Sequence, residues 1–311
     1  MKTALVFTLT ILFFGFAGLF LIVRTQNTVQ SEALSEARQL LSRIPKEVTV
    51  PKFLGSTADR RAVATLSATA LYVVDRETGV VLFEKATDEL RYPASTTKLM
   101  TALVARDVYD LDTVLTVREE AFSAGTAVGF LVGEQLTVRD LLAGLLIYSG
   151  NDTAFVLANN APGGYGAFVE QMNKKAQELG LQQTRFTNPS GLDNPQQQTT
   201  AADLARLSEA VLNDPVLAQI VATKELTITD QTGVWKHPLF NRNLLLHTVP
   251  GVFGVKTGTT EGAGENLVTG IKRDNHEYFV VMLGSQGRYA ETQQLIQWLT
   301  EQYRWEVRKV E

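Results

Sequence analysis

Ser95 and Lys98 stand three residues apart, after Pro93 and ahead of an apolar run through Leu99, Met100, Leu103 and Val104. Side chains three apart share one face of a helix, so a hydroxyl and an amine can meet there. The spacing matters because a serine attacks a carbonyl only when a neighbouring base takes its proton. Lysine serves as that base at neutral pH only if burial or a nearby cation pulls it below its ordinary value of about 10.4. A helix start also presents unpaired N–H groups to a developing oxyanion. Alone, the spacing arises about once by chance in a chain this long and reads as an exposed Ser and Lys.

Two further clusters offer complementary groups. Ser149-Gly150-Asn151 places a hydroxyl and an amide on a bend, one able to relay a proton and the other to hold a peptide group. A glycine helix cap followed by the cap of the next helix is the plain alternative. Lys256-Thr257-Gly258-Thr259 closes an expected strand, where Lys and Thr can receive a carboxylate and Gly258 lets substrate lie against the backbone. By itself K-T-G is a common turn. His237, His247 and His276 have no G-x-S-x-G nucleophile beside them, and no His pair has ligand spacing. They read as surface or packing residues, and neither metal nor cofactor is expected.

The elements that must position these groups are legible in the periodicity. Val138, Leu141, Leu142, Leu145 and Leu146 form a helical stripe opened by Thr137 and Asp140, and it delivers Ser149 at its end. Thr200 with Asp203 opens a helix carrying Leu204, Leu207 and Val211. Leu295, Ile296, Leu299 and Tyr303 share a face of a terminal helix. Ala68 to Val74 and Val80 to Phe83 read as a hairpin across Asp75 to Gly79; Glu265 to Lys272 and Glu277 to Gly284 read as another, with Gly251 to Thr257 beside it. The layout predicts an α/β (α+β) fold, an antiparallel sheet built from both ends of the domain with a helical lobe inserted.

A net charge of -4 supplies no footprint for nucleic acid. With no cysteine there is neither disulfide nor thiol nucleophile. Ala4 to Val23 is uncharged and, at ~1.5 Å per residue, spans ~30 Å, one bilayer core. Gly15 and Ala17 suit a signal peptidase, but cleavage there leaves a greasy terminus. Residues 1–24 are therefore expected to form an uncleaved transmembrane anchor, 25–65 a polar stalk, and 66–311 the catalytic domain.

The order S-x-x-K, S-x-N, K-T-G is that of serine β-lactamases and penicillin-binding proteins. The chain resembles serine D-alanyl-D-alanine carboxypeptidases, the low-molecular-mass penicillin-binding proteins, over residues 66–305. Tyr92 to Thr101, Ser149 to Asp152, Asn188 to Asp193, Thr200 to Asp203 and Gly254 to Gly258 carry the likeness. The resemblance implies a β-lactamase/D,D-peptidase-like fold and an acyl-enzyme route on peptidoglycan stem peptides, with β-lactams as covalent inhibitors. Ser95 would be the nucleophile, Lys98 its base and Ser149 the proton relay, helped by Lys256. Asn151 would hold a substrate amide, Thr257 the terminal carboxylate, and backbone N–H groups of Ser95 and Thr259 the oxyanion. Arg288 would add charge near that carboxylate, though a lone Arg after a strand is more often a solvated surface residue. The S-G-N wording departs from the S-D-N of class A β-lactamases, whose deacylating Glu has only Glu170 as an imitation. Relatives carry a C-terminal β-domain and amphipathic helix not expected here, so the N-terminal run is expected to hold the domain on the extracytoplasmic face of a bacterial membrane. A β-lactamase, or a non-catalytic β-lactam sensor or cell-wall-binding protein, is the alternative.

Overall fold

The computed structural model describes residues 47–121 and 124–309. They begin with β1 (Glu47–Phe53), α1 (Thr57–Ala64), β2 (Ala70–Asp75) and β3 (Val81–Lys85). Next come α2 (Lys98–Val108), β4 (Val114–Thr116), β5 (Gln135–Thr137), α3 (Val138–Ala143), α4 (Asn151–Asn159), α5 (Gly164–Glu178), α6 (Ala201–Asn213) and α7 (Pro215–Val221). The chain returns through β6 (Glu225–Thr229), β7 (Lys236–Phe240), α8 (Leu244–Thr248), β8 (Val252–Thr260), β9 (Gly264–Arg273), β10 (His276–Ser285), α9 (Arg288–Gln302) and β11 (Tyr303–Lys309).

Five strands form one antiparallel sheet in the order β3-β2-β10-β9-β8, so strands from both ends of the sequence meet at β2 and β10. Side chains alternate across a strand, and β10 shows the result. Phe279, Val281 and Leu283 enter a core shared with α2 to α7, while Tyr278, Val280 and Met282 enter a second core with α9. Leu295, Ile296 and Leu299 of α9 lie in that second core, as does Tyr303, which opens β11 instead of continuing the helix, and Leu204, Leu207 and Val211 of α6 lie in the first. Thr137 and Thr200 cap α3 and α6 by accepting from Asp140 N and Asp203 N.

Two departures concern extent. The helix ending near Ser149 is not continuous: α3 stops at Ala143 and Gly144–Tyr148 widens into a π turn. A Cβ on Gly144 would come within 2.7 Å of Thr153 Cγ2, so the chain is closely packed where it widens. Regular structure also begins ahead of residue 66. Ser56 caps α1, and Val63, 5% exposed, joins the core beside α9. Its sequence, TADRRAVA, buries one residue only, too little for a visible period.

The chain divides into two units. The larger, Pro51–Trp305, holds the five-stranded sheet and the helices; of the smaller, residues 47–50 and 306–309 are described, the ends of the paired strands β1 and β11. The expected anchor, 1–24, and residues 25–46 of the expected stalk lie outside the described residues. No described helix is long and apolar enough to cross a membrane.

Candidate active site

Ser95 sits in a short 3-10 turn, Ala94–Thr97, that runs directly into α2. Ala94, fully buried, has φ 48°, a left-handed conformation that a Cβ makes costly. Neighbours hold it there. Asn266 Nδ2 donates to Tyr92 O at 2.9 Å and to Pro93 O at 3.1 Å, and Thr96 Oγ1 donates to Pro93 O at 2.7 Å. Strand β8 passes so close that a Cβ on Gly258 would lie 2.9 Å from Ser95 N, which is why that position is glycine.

Lys98 has no exposed surface. Its Nζ lies 2.9 Å from Ser95 Oγ, 2.7 Å from Asn151 Oδ1 and 2.6 Å from Ser190 O. Burial pushes its pKa down from 10.5 to about 7, against the opposing pull of the Asp152 carboxylate. Asn151 Nδ2 donates to Ala124 O at 2.6 Å, which leaves Oδ1 facing Lys98. Neither that oxygen nor Ser190 O has a proton to give. A neutral Lys98 therefore keeps its two N–H groups on those oxygens and turns its lone pair to the Ser95 hydroxyl.

Ser149 follows the π turn with φ 70°, left-handed like Ala94, its N–H donating to Gly144 O. Lys256 Nζ donates to its Oγ at 2.7 Å. Lys256 is 2% exposed; burial drives its pKa well below the ordinary range, reinforced by Lys98 when that amine is protonated and by the cations Arg288 and Arg242. The strand carrying it does not end at Thr257 but continues to Thr260, with Gly258 opposite Asn266 and Thr259 opposite Glu265. Arg288 opens α9 and reaches back, Nη1 donating to Gly258 O at 2.8 Å and to Thr259 Oγ1.

Ser95, Ser149, Thr257, Gly258, Thr259 and Arg288 line one cleft of about 490 Å³, with Lys98 and Lys256 beneath them. Asn151 is also beneath, both ends of its amide engaged inside the protein. Among the described residues no acidic side chain lines the cleft. A larger groove, about 790 Å³, runs along α5 past Glu170 and Asn173, but no Ser, Cys or His among the described residues lines it and Asn173 is bonded to Val169 O and Phe186 O. Among the described residues no acidic or His cluster has the makings of a metal site.

Several contributors had no assigned role in the sequence. Ser190 supplies a carbonyl to Lys98, and Asn188 Oδ1 shapes that loop by accepting from Ser190 N, Gly191 N and Leu192 N. Arg242, also in the cleft, lies 5.0 Å over the Tyr148 ring and is fixed by Tyr289 Oη donating to its carbonyl at 2.6 Å. Asn266 and Ala124 act through contacts across more than a hundred and more than twenty positions respectively. Only the run Asn188 to Asp193 carried a signal, as a segment without a role.

The sequence profile of peptidase family S11, described as D-alanyl-D-alanine carboxypeptidase, matches residues 57–287. The chain is 34% identical over 245 residues to the D-alanyl-D-alanine carboxypeptidase DacF of Bacillus subtilis, covering 76% of this chain and 63% of that protein. It is 36% identical over 246 residues to a D-alanyl-D-alanine endopeptidase of Pseudomonas aeruginosa, covering 75% and 77%. The Streptomyces K15 DD-transpeptidase superposes with a TM-score of 0.72 at 29% identity, covering 76% of this chain and 98% of that one. The chain thus spans about three fifths of the length of several curated carboxypeptidases it matches, such as 61% of DacD of Escherichia coli. With about three quarters of its length in common with such relatives, the chain belongs to the D-alanyl-D-alanine carboxypeptidase family, peptidase family S11.

Proposed function

We propose that the chain is a serine D-alanyl-D-alanine carboxypeptidase that trims peptidoglycan stem pentapeptides. The observation that carries this reading is the buried Lys98 amine 2.9 Å from Ser95 Oγ. Ser95 Oγ attacks the carbonyl carbon between two D-alanines while its proton passes to Lys98. The C–N bond then breaks, and Ser149, held by Lys256, gives a proton to the leaving amine. Backbone N–H groups of Ser95 and Thr259 receive the oxyanion, and Thr257 with Arg288 receives the terminal carboxylate. Water attacks the acyl-enzyme, returning a hydroxyl to Ser95 and releasing the shortened peptide. Asn151 acts from below, by holding Lys98.

β-Lactams acylate the same serine in this reading. A long-lived adduct, rather than β-lactamase turnover, is the expected outcome. Residues 4–23 anchor the domain outside the cytoplasm, a reading supported by their uncharged length alone.

Incubation with a stem pentapeptide should release free D-alanine and leave a tetrapeptide, and Ser95→Ala should abolish both. Unchanged release by that variant, or rapid hydrolysis of benzylpenicillin by the native protein, overturns the assignment. Recovery of the full-length protein in the soluble fraction after cell lysis overturns the anchor.

A further inference from the structure

Behind the cleft, two buried titratable side chains meet that the acylation chemistry does not use. Glu134 Oε2 lies 2.8 Å from His237 Nε2 on β7, with side chains 2% and 11% exposed. The other Glu134 oxygen accepts from Leu131 N at 2.7 Å. Phe130 sets its buried ring edge-on to the imidazole, centroids 4.9 Å apart. Together these contacts fasten one end of the segment 124–134 to β7.

The other end of that segment is fastened to the start of α4. Val128 N and Gly129 N donate to the Asp152 carboxylate at 3.1 and 2.9 Å, and Asn151 N donates to Thr126 O at 2.7 Å. Asn151 Nδ2 donates to Ala124 O at 2.6 Å. That last bond decides which end of the amide Lys98 meets. Without the Ala124 carbonyl, the amide is free to turn its N–H groups toward Nζ. A neutral Lys98 would then answer with its lone pair, and the Ser95 proton would lose its acceptor.

We propose that Glu134 and His237 are positioning residues for acylation, clamping the segment 124–134 so that Asn151 presents its oxygen, and not its nitrogen, to Lys98. The proposal rests on the reading of Lys98 as base. Its physical content is that a buried polar network holds one arrangement only while every member is satisfied. Releasing the clamp also lets water approach Nζ, which faces the Asp152 carboxylate and the titratable Lys256 amine. Hydration favours the ammonium and returns its pKa toward the ordinary lysine value.

The test is the pH profile of acylation by benzylpenicillin in the full-length protein, alongside its melting temperature. Glu134→Ala and His237→Ala should each move the acid limb upward by about half to one pH unit. The double variant should match either single one, because both break the same clamp. Glu134→Gln, which keeps an acceptor for Leu131 N and a donor toward His237, should retain the native profile. If the alanine variants do not fold, Glu134→Asp, too short to reach both partners, should show the shift. A lower melting temperature with an unmoved acid limb, or additive shifts in the double variant, overturns the clamp. A native profile without an acid limb near neutrality overturns both the base and the clamp, whereas an adduct still formed by Ser95→Ala removes the nucleophile alone.

Discussion

Lys98 Nζ stands 2.9 Å from Ser95 Oγ although Lys98 itself has no exposed surface. Burial and contact act together here. Excluding water disfavours the ammonium, and among the described hydrogen-bond partners of Nζ the two carbonyl oxygens leave Ser95 as the one able to give a proton. Lys98 is thus turned toward Ser95 by its surroundings and, with its lowered pKa, more readily left unprotonated near neutral pH.

The acid limb of acylation follows directly. In the proposed mechanism neutral Lys98 is the active form; its pKa is lowered to about 7, so protonation below that value removes the base. The second-order acylation rate constant should therefore fall about tenfold for each pH unit below neutrality. A stopped-flow profile that stays flat down to about pH 5 would exclude Lys98 as the group that takes the proton.

The same depressed pKa leaves a mark on stability. Between about 7 and 10.5 the unfolded chain binds a proton at Lys98 that the folded chain does not, so stability rises with pH across that window. A nonionisable Lys98→Met variant lacks this dependence. Its melting temperature relative to the native protein should be highest near pH 7 and should decline toward pH 10, an effect on the order of a few kcal/mol. A difference that is constant with pH would show that burial does not depress this lysine.

The groups on periodic elements were legible in the sequence, and those held by long-range contacts were not. Ser95, Lys98, Ser149 and Lys256 could be placed because a helix start, a striped helix and a strand carry them. The π turn at Gly144–Tyr148 was hidden, since a stripe at helical spacing does not report how wide the last turn winds. Asn151 is expected from the sequence to hold a substrate amide; its amide also meets Ala124 O and Lys98 Nζ, contacts that its local sequence could not supply. The Ser190 carbonyl was invisible for a simpler reason. A backbone acceptor has no residue type.

Arg288 is predicted to act on binding more than on chemistry. Its guanidinium is tied to Gly258 O and Thr259 Oγ1, at the edge of the strand where the terminal carboxylate is proposed to lie. Arg288→Gln should raise KM for a peptide ending in D-alanine by about tenfold and change kcat less, because an interaction present in both ground and transition states is lost uniformly. The native protein should discriminate against the corresponding C-terminal amide, and the variant should not. Equal discrimination by both proteins would place the carboxylate elsewhere.

Gly191 should prove more sensitive than its lack of a side chain suggests. It has φ 90°, and a Cβ there would lie 1.9 Å from Ala94 O and 2.4 Å from Ala94 C, backbone atoms that cannot rotate away. Ala94 precedes Ser95, the proposed nucleophile, and Ser190, on the other side of the contact, holds Lys98. Gly191→Ala must therefore separate the turn carrying Ser95 from the loop that fixes its base. A displacement of about 1 Å between reacting groups is enough to cost roughly 100-fold in rate. Gly180 is the proper control, with φ 68° but nothing within 4 Å of the position of a Cβ. Gly180→Ala carries the backbone strain alone, about 1–2 kcal/mol, and should acylate at the native rate. A loss of acylation in folded Gly191→Ala but not in Gly180→Ala would separate the clash from the strain, whereas equal acylation in both variants would mean that the loop and the turn carrying Ser95 move independently.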